Sequence, residues 1–321
     1  MNKSTHRIVW IDQLRALCIL LILWFHTEIY CTGADVVPYD LYVADALCTF
    51  YFLSGYLFYN GHPFSLKRKM QSILRSIVVP YFFFTLLLCL PKALFHDISP
   101  YSLLHQIVKG NGSWFVSSLI TAEVVFSCAL WLKKAWVIHM LAVIALTIAM
   151  LLTGTDLSAH HNYWNFHNAL IGLVFICLGY EYHRHEERFQ FLHRTSSLMI
   201  LLFVFVIIKI YILKSGTSLL IEPVAISNYA VFMLNMLCTL PLAVGLAQRL
   251  PAARWLQWTG QRTLVYYFFC GAIPAAVSRL FSNGTGYYIV PFAFLIVVLT
   301  TSAVVWTTYR FLPWTLGQTR K

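Results

Sequence analysis

Ten apolar windows run along this 321-residue sequence, at 9–30, 41–60, 72–91, 114–132, 135–153, 164–182, 197–213, 222–247, 263–281 and 287–309. Crossing a hydrocarbon core of about 30 Å takes roughly 20 mostly apolar residues at a rise of 1.5 Å each. The windows therefore predict an all-α polytopic membrane protein of about ten transmembrane helices, with only short connections between them. A soluble globule is excluded, since 59% of residues are hydrophobic, 11% are charged and mean hydropathy is +0.70. Disorder and a disulfide scaffold are excluded on the same grounds. The eight cysteines form no C-x-x-C pair, and most lie inside the windows as small buried hydrophobes. The expectation is a single membrane-embedded domain over 1–321 with no appended soluble domain, its first window retained as a helix rather than cleaved as a signal peptide.

The net charge of +11 could suggest nucleic acid, but topology accounts for most of it and no nucleic-acid partner is expected. With a cytoplasmic N-terminus, seventeen of the 23 Lys and Arg fall on the inner side: Lys3, Arg7, Lys67, Arg68, Lys69, Arg75, Lys133, Lys134, Arg184, Arg188, Arg194, Arg249, Arg254, Arg262, Arg310, Arg320 and Lys321. Four (Lys92, Lys109, Lys214, Arg279) fall outside, and Arg15 and Lys209 lie within windows. This bias predicts a multi-pass protein of the inner (plasma) membrane with both termini cytoplasmic. The outer segment Pro91–Ser113, with Pro100 and a Gly110-Asn111-Gly112 turn signal, reads as an acceptor-binding loop or lid, or as a plain connector.

Ionisable side chains inside spans are costly and mark function by default. The first window holds Asp12, Arg15, His26 and Glu28. Eleven helical steps separate Arg15 from His26, about three full turns, so both leave one face about 16 Å apart along the axis. Arg15 near the cytoplasm could anchor a phosphate-bearing donor whose far end reaches His26. The plain alternatives are an interfacial anchor and a packing residue.

Several segments carry a likeness to a known family. Ile11-Asp12-Gln13-Leu14-Arg15-Ala16, an aliphatic run and then His26 resemble the opening signature of the acyltransferase 3 family, an Arg, ten residues and a His. Phe52-Leu53-Ser54-Gly55-Tyr56-Leu57-Phe58 is similar to its second-helix Ser-Gly segment. Lys67-Arg68-Lys69 to Arg75 with Pro80-Tyr81 resembles its basic loop and third helix. Trp114-Phe115 and Gly260-Gln261-Arg262-Thr263-Leu264-Val265-Tyr266 resemble two later segments, with Thr263 where Ser is usual and Cys270 where many members have His. The resemblance implies transfer of an acyl group, commonly acetyl from acetyl-CoA, to a hydroxyl of a carbohydrate or other envelope glycan. It implies Arg15 and His26 as essential, and Arg68, Lys69 and Arg75 as donor-binding. The implied partners are acyl-CoA, a glycan or lipid-linked saccharide acceptor and membrane lipids, with no metal.

The chemistry agrees with that implication. A sugar hydroxyl is a poor nucleophile, so attack on a thioester needs a positioned base, and His titrates in the right range; His26 could equally carry the acyl group. Glu28, about 200° around the helix, is poorly placed as its carboxylate partner. Asp45 and Glu123 suit by depth, with Glu123 preferred. Ser54 before Gly55 reads as a close-packing device rather than a nucleophile. The charges from Lys67 to Arg75 suit phosphates or lipid heads. His160, His161 and His167 read as solvated loop residues, Glu181–Arg188 as a solvated inner loop, and Lys209 as a snorkelling cation or the partner of some buried acid. The competing class is a transporter or flippase of a lipid-linked sugar, against which stands the lack of internal repeats.

Overall fold

The computed structural model describes residues 8–95, 99–155, 162–281 and 286–317. Lys3, Arg7, His160, His161, Arg320 and Lys321 lie outside the described residues. Every apolar window contains helix, and further helices join them: α1 Val9–Thr32, α2 Val43–Phe58, α3 Leu66–Ile73 running on through a π-helical stretch Leu74–Val78 into α4 Val79–Phe95, α5 Pro100–Val108, α6 Trp114–Trp131, α7 Ala135–Leu152, α8 Phe166–Arg184, α9 Thr195–Ser215, α10 Tyr229–Arg249, α11 Arg254–Gly260, α12 Thr263–Phe269, α13 Ala272–Ser278 and α14 Ile289–Phe311. Among the described residues, seven helices are long and apolar enough to cross a membrane, or eight if α12 and Ala272–Phe281, bent by 49°, make one span. The two remaining windows are α2, of 16 residues, and α8, of 19. The polar ends of α8, with His167, Asn168, Glu181, His183 and Arg184, dilute an otherwise apolar helix whose middle is buried. The chain is an all-α, multi-pass membrane protein.

Three expectations are corrected. The basic stretch after residue 65 is helix rather than loop, because Leu66, Met70 and Ile73 recur at i, i+4 and i+7 and turn inward while Lys67 and Arg68 stay exposed. The segment Pro91–Ser113 contains α5, opened by Pro100 in the first turn, where its missing N–H costs nothing. The window 222–247 opens on the second strand of a β-hairpin, β2 Ala225–Ile226, paired with β1 Leu219–Leu220 just ahead of it, and turns helical only at Tyr229. Val224 and Ile226 are buried, so the apolar signal there was real while its periodicity was not helical.

Two compact units make up the fold, the first from 8–50, Glu187–Gly216 and Ala230–Val305, the second from Tyr51–Glu186, Thr217–Tyr229 and 306–317. In the first, α1 packs on α11, α12 and α13, and Gly260 lets α11 close on the Asp12 carbonyl, which a Cβ there would overlap. A buried polar knot ties three helices together. Lys209 Nζ on α9 lies 2.7 Å from Asp45 Oδ2, and Asn235 Nδ2 on α10 donates to Asp45 Oδ1 at 2.7 Å.

In the second unit α8 packs against α6 and α7, and its glycines admit α2. A Cβ at Gly179 would overlap the Phe52 carbonyl, and one at Gly55 the Ile176 carbonyl, so backbone meets backbone as in small-residue membrane interfaces. Replacing Gly179 by leucine is expected to wedge α2 from α8 and to lower the melting temperature of the detergent-solubilised protein markedly. An unchanged melting temperature would contradict this packing.

Candidate active site

Both ends of α1 are pinned. At its start Gln13 Nε2 donates to the Pro251 carbonyl at 2.8 Å and Gln261 Nε2 donates to Asp12 Oδ2 at 2.9 Å. At its end Gly33, at φ 77°, takes the left-handed conformation that glycine favours and donates its N–H to Ile29 O. Glu28 is buried; its Oε1 accepts the Val37 N–H at 2.9 Å and its Oε2 the Tyr42 hydroxyl at 3.4 Å. Glu28 thus organises the following loop. Between these anchors Arg15 and His26 stand half-buried on one unbroken helix, so their eleven-residue spacing is kept. Among the described residues the contacts of the His26 ring are aromatic, with Phe25 at 5.5 Å and Tyr30 at 6.4 Å between centroids.

The second unit holds a cavity of about 860 Å³. Its wall comes from the C-terminal end of α2 and the following turn, from α3, from the α6–α7 turn and from α8. Among the described residues five cations line it, Arg68, Lys69, Lys133, Lys134 and Arg184, and no acidic residue does. These segments, which the charge count groups together, converge on one cavity. Lys133, Lys134 and Arg184 were not singled out by motif; their common side was the one available signal.

Lys69 is the most constrained of the five. Its ammonium lies 2.9 Å from Glu123 Oε2, an ion pair off the line of a hydrogen bond, and 3.6 Å from the centre of the Phe58 ring. Ser54 Oγ donates to Glu123 Oε1 at 2.5 Å. The structure therefore brings Ser54, Lys69 and Glu123 together, and Glu123 holds Lys69 at the cavity wall. Arg75 stands exposed on the π-helical stretch and does not line the cavity.

Other expectations resolve locally. Asp45 engages Lys209 and Asn235 with its two oxygens, which settles the partner of Lys209 and leaves Asp45 a structural role. His167 is a buried packing residue, not a solvated one, with Nε2 3.0 Å from the Ala149 carbonyl. The stretch after Glu181 is also less free than expected. The His183 ring stacks on Tyr56 at 3.9 Å between centroids, and the Tyr56 hydroxyl donates to Glu186 at 2.9 Å.

Arg15 and His26 belong to the first unit, and Arg68, Lys69, Arg75 and Glu123 to the second. Comparison with curated proteins and with solved structures gives no match. Residues 8–314, nearly the whole chain, match the acyltransferase 3 family, described as an acyltransferase domain. The chain belongs to that family and is a membrane acyltransferase.

Proposed function

We propose that the protein transfers an acyl group, most readily acetyl, from acyl-CoA on the cytoplasmic side to a hydroxyl of a carbohydrate or envelope glycan. In this reading it spans the plasma membrane ten times, with both termini in the cytoplasm. The observation that carries the donor assignment is the cavity lined, among the described residues, by five cations and no acid, because such a lining suits the phosphates of coenzyme A and charge-assisted contacts are the strong ones. Two local sets of contacts support the alternation of sides. Arg249 Nη2 joins α10 to the His193 carbonyl, both in basic connections, while Trp164 N–H to Lys109 O and Asn168 Nδ2 to Ile221 O join segments assigned to the opposite face.

His26 takes the acceptor's hydroxyl proton as that oxygen attacks the thioester carbonyl. The carbon–sulfur bond then breaks, and the proton passes to the departing thiolate. In the covalent variant the imidazole nitrogen itself attacks, expels the thiolate and passes the acyl group to the hydroxyl. Arg15 offers a planar two-pronged contact to phosphate or to the developing oxyanion. Glu123 contributes by positioning Lys69. Arg75 is retained as a donor residue on the family resemblance.

The direct test is incubation of purified protein with labelled acetyl-CoA and candidate glycans. An O-acetylated product is expected; sugar translocation with no acyl transfer would establish the transporter class instead. Arg68→Ala combined with Lys134→Ala is expected to raise KM for acyl-CoA tenfold or more with little change in kcat, each well-formed phosphate contact contributing about 1.5–3 kcal/mol. An unchanged KM would assign these cations to lipid headgroups. Cysteines placed between Lys67 and Arg75 should react with membrane-impermeant reagents only from the cytoplasmic side, and labelling from outside would overturn the topology.

A further inference from the structure

Resting on the reading of acyl-CoA as donor, we infer that the cavity reads the adenosine bisphosphate end of the donor, and that Tyr59 and Tyr180 form the seat of the purine. The two rings both line the cavity and meet as a corner, 5.7 Å between centroids and 86° between planes. Each is half-buried and backed by a further ring. Phe126 lies edge-on to Tyr180 at 5.5 Å and 67°, and His183 to Tyr59 at 5.3 Å and 77°. The corner is therefore built into the packing and not free to swing. A purine laid on one ring meets the edge of the other, a geometry that rewards a flat aromatic ligand.

Charge completes the match. Lys69 is engaged by Glu123, which leaves Arg68, Lys133, Lys134 and Arg184 as the cations of the remaining wall, Arg184 with a loose 3.4 Å contact to Glu181. The 3′-phosphate and the 5′-diphosphate of the donor are the anionic groups such a wall suits. Lys133 carries its own signal. Its φ of 54° lies in the left-handed region where glycine is the unstrained choice, and strained residues of this kind gather at ligand clamps. The volume of about 860 Å³ lies within the range of roughly 300–1,000 Å³ usual for small-molecule sites. An anionic lipid head would use the cations but has no ring for the tyrosine corner, and the neutral pantetheine arm needs neither. The consequence is selectivity. The enzyme prefers free acyl-CoA to the same acyl group on phosphopantetheine alone, the form borne by carrier proteins, although the reacting thioester is identical.

The test compares KM for acetyl-CoA with KM for S-acetyl-4′-phosphopantetheine, using the full-length protein in detergent. Wild type is expected to favour acetyl-CoA at least tenfold. Tyr59→Ala and Tyr180→Ala should shrink that ratio toward one, Tyr59→Phe and Tyr180→Phe should keep it, and Lys133→Gly, which relaxes the backbone while removing the charge, should also reduce it. Calorimetry with adenosine 3′,5′-bisphosphate should show binding to wild type that phosphatidylglycerol does not displace. Equal use of the two thioesters by wild type overturns the inference while leaving the acyl-CoA reading intact, and this comparison needs no variant to fold. Displacement of the nucleotide by phosphatidylglycerol overturns it in favour of a lipid-head site. Use of neither thioester by wild type overturns the donor reading itself.

Discussion

Replacement of His26 by alanine is expected to remove acyl transfer, with a loss of about 10²–10⁴-fold from the missing general base alone. Folding should survive, because the helix that carries it is held by contacts His26 takes no part in, from Gln13 to Pro251, Gln261 to Asp12, and Val37 and Tyr42 to Glu28. Coenzyme A binding should survive too, since the proposed donor cavity is lined by other residues. Arg15→Lys is expected to be impaired despite keeping its charge, for an ammonium does not reproduce a two-pronged guanidinium contact. The measurement is single-turnover transfer from labelled acetyl-CoA alongside binding of coenzyme A. Near-normal acylation by well-folded His26→Ala would make the imidazole a packing residue beside Phe25 and Tyr30.

The second large effect concerns stability. Lys209→Met leaves the Asp45 carboxylate buried with Asn235 as its remaining described side-chain partner, and breaking one side of a buried ion pair costs about 3–5 kcal/mol. The double variant Lys209→Met with Asp45→Asn should recover most of that loss, because an amide keeps a hydrogen bond to Asn235 without a buried charge. Denaturant titration of detergent-solubilised protein reads both. If the double variant is no more stable than Lys209→Met alone, the pair is not what joins α2, α9 and α10.

The same pair shows where reading a sequence stops. Hydropathy placed Asp45 and Lys209 inside apolar windows, and the cost of burying a charge left Lys209 either to snorkel or to meet some buried acid, without identifying one. Asp45 read by depth as a candidate for His26, and only the packing of α2, α9 and α10 showed its oxygens already taken. Glu123 is similar. Its burial was legible from its position in the window, whereas its engagement by Ser54 and Lys69 was not.

What the sequence determined by itself is what consecutive residues decide. Span lengths follow from runs of apolar residues, the grouping of the basic connections follows from counting charge between them, and the shared face of Arg15 and His26 follows from helical periodicity; each is local. Even here length and composition had limits, as α3 and the β1–β2 hairpin show, where period and not apolarity chose the structure. Tertiary structure alone decided which charge meets which and which connections share a wall. Lys133, Lys134 and Arg184 join Arg68 and Lys69 around one cavity, with Tyr59 and Tyr180 beside them, because α2, α3, α6, α7 and α8 end there. Such convergence depends on helix–helix contacts between residues far apart in the chain, set by small-residue approaches such as Gly55 and Gly179, and apolar windows are silent on which helix lies beside which.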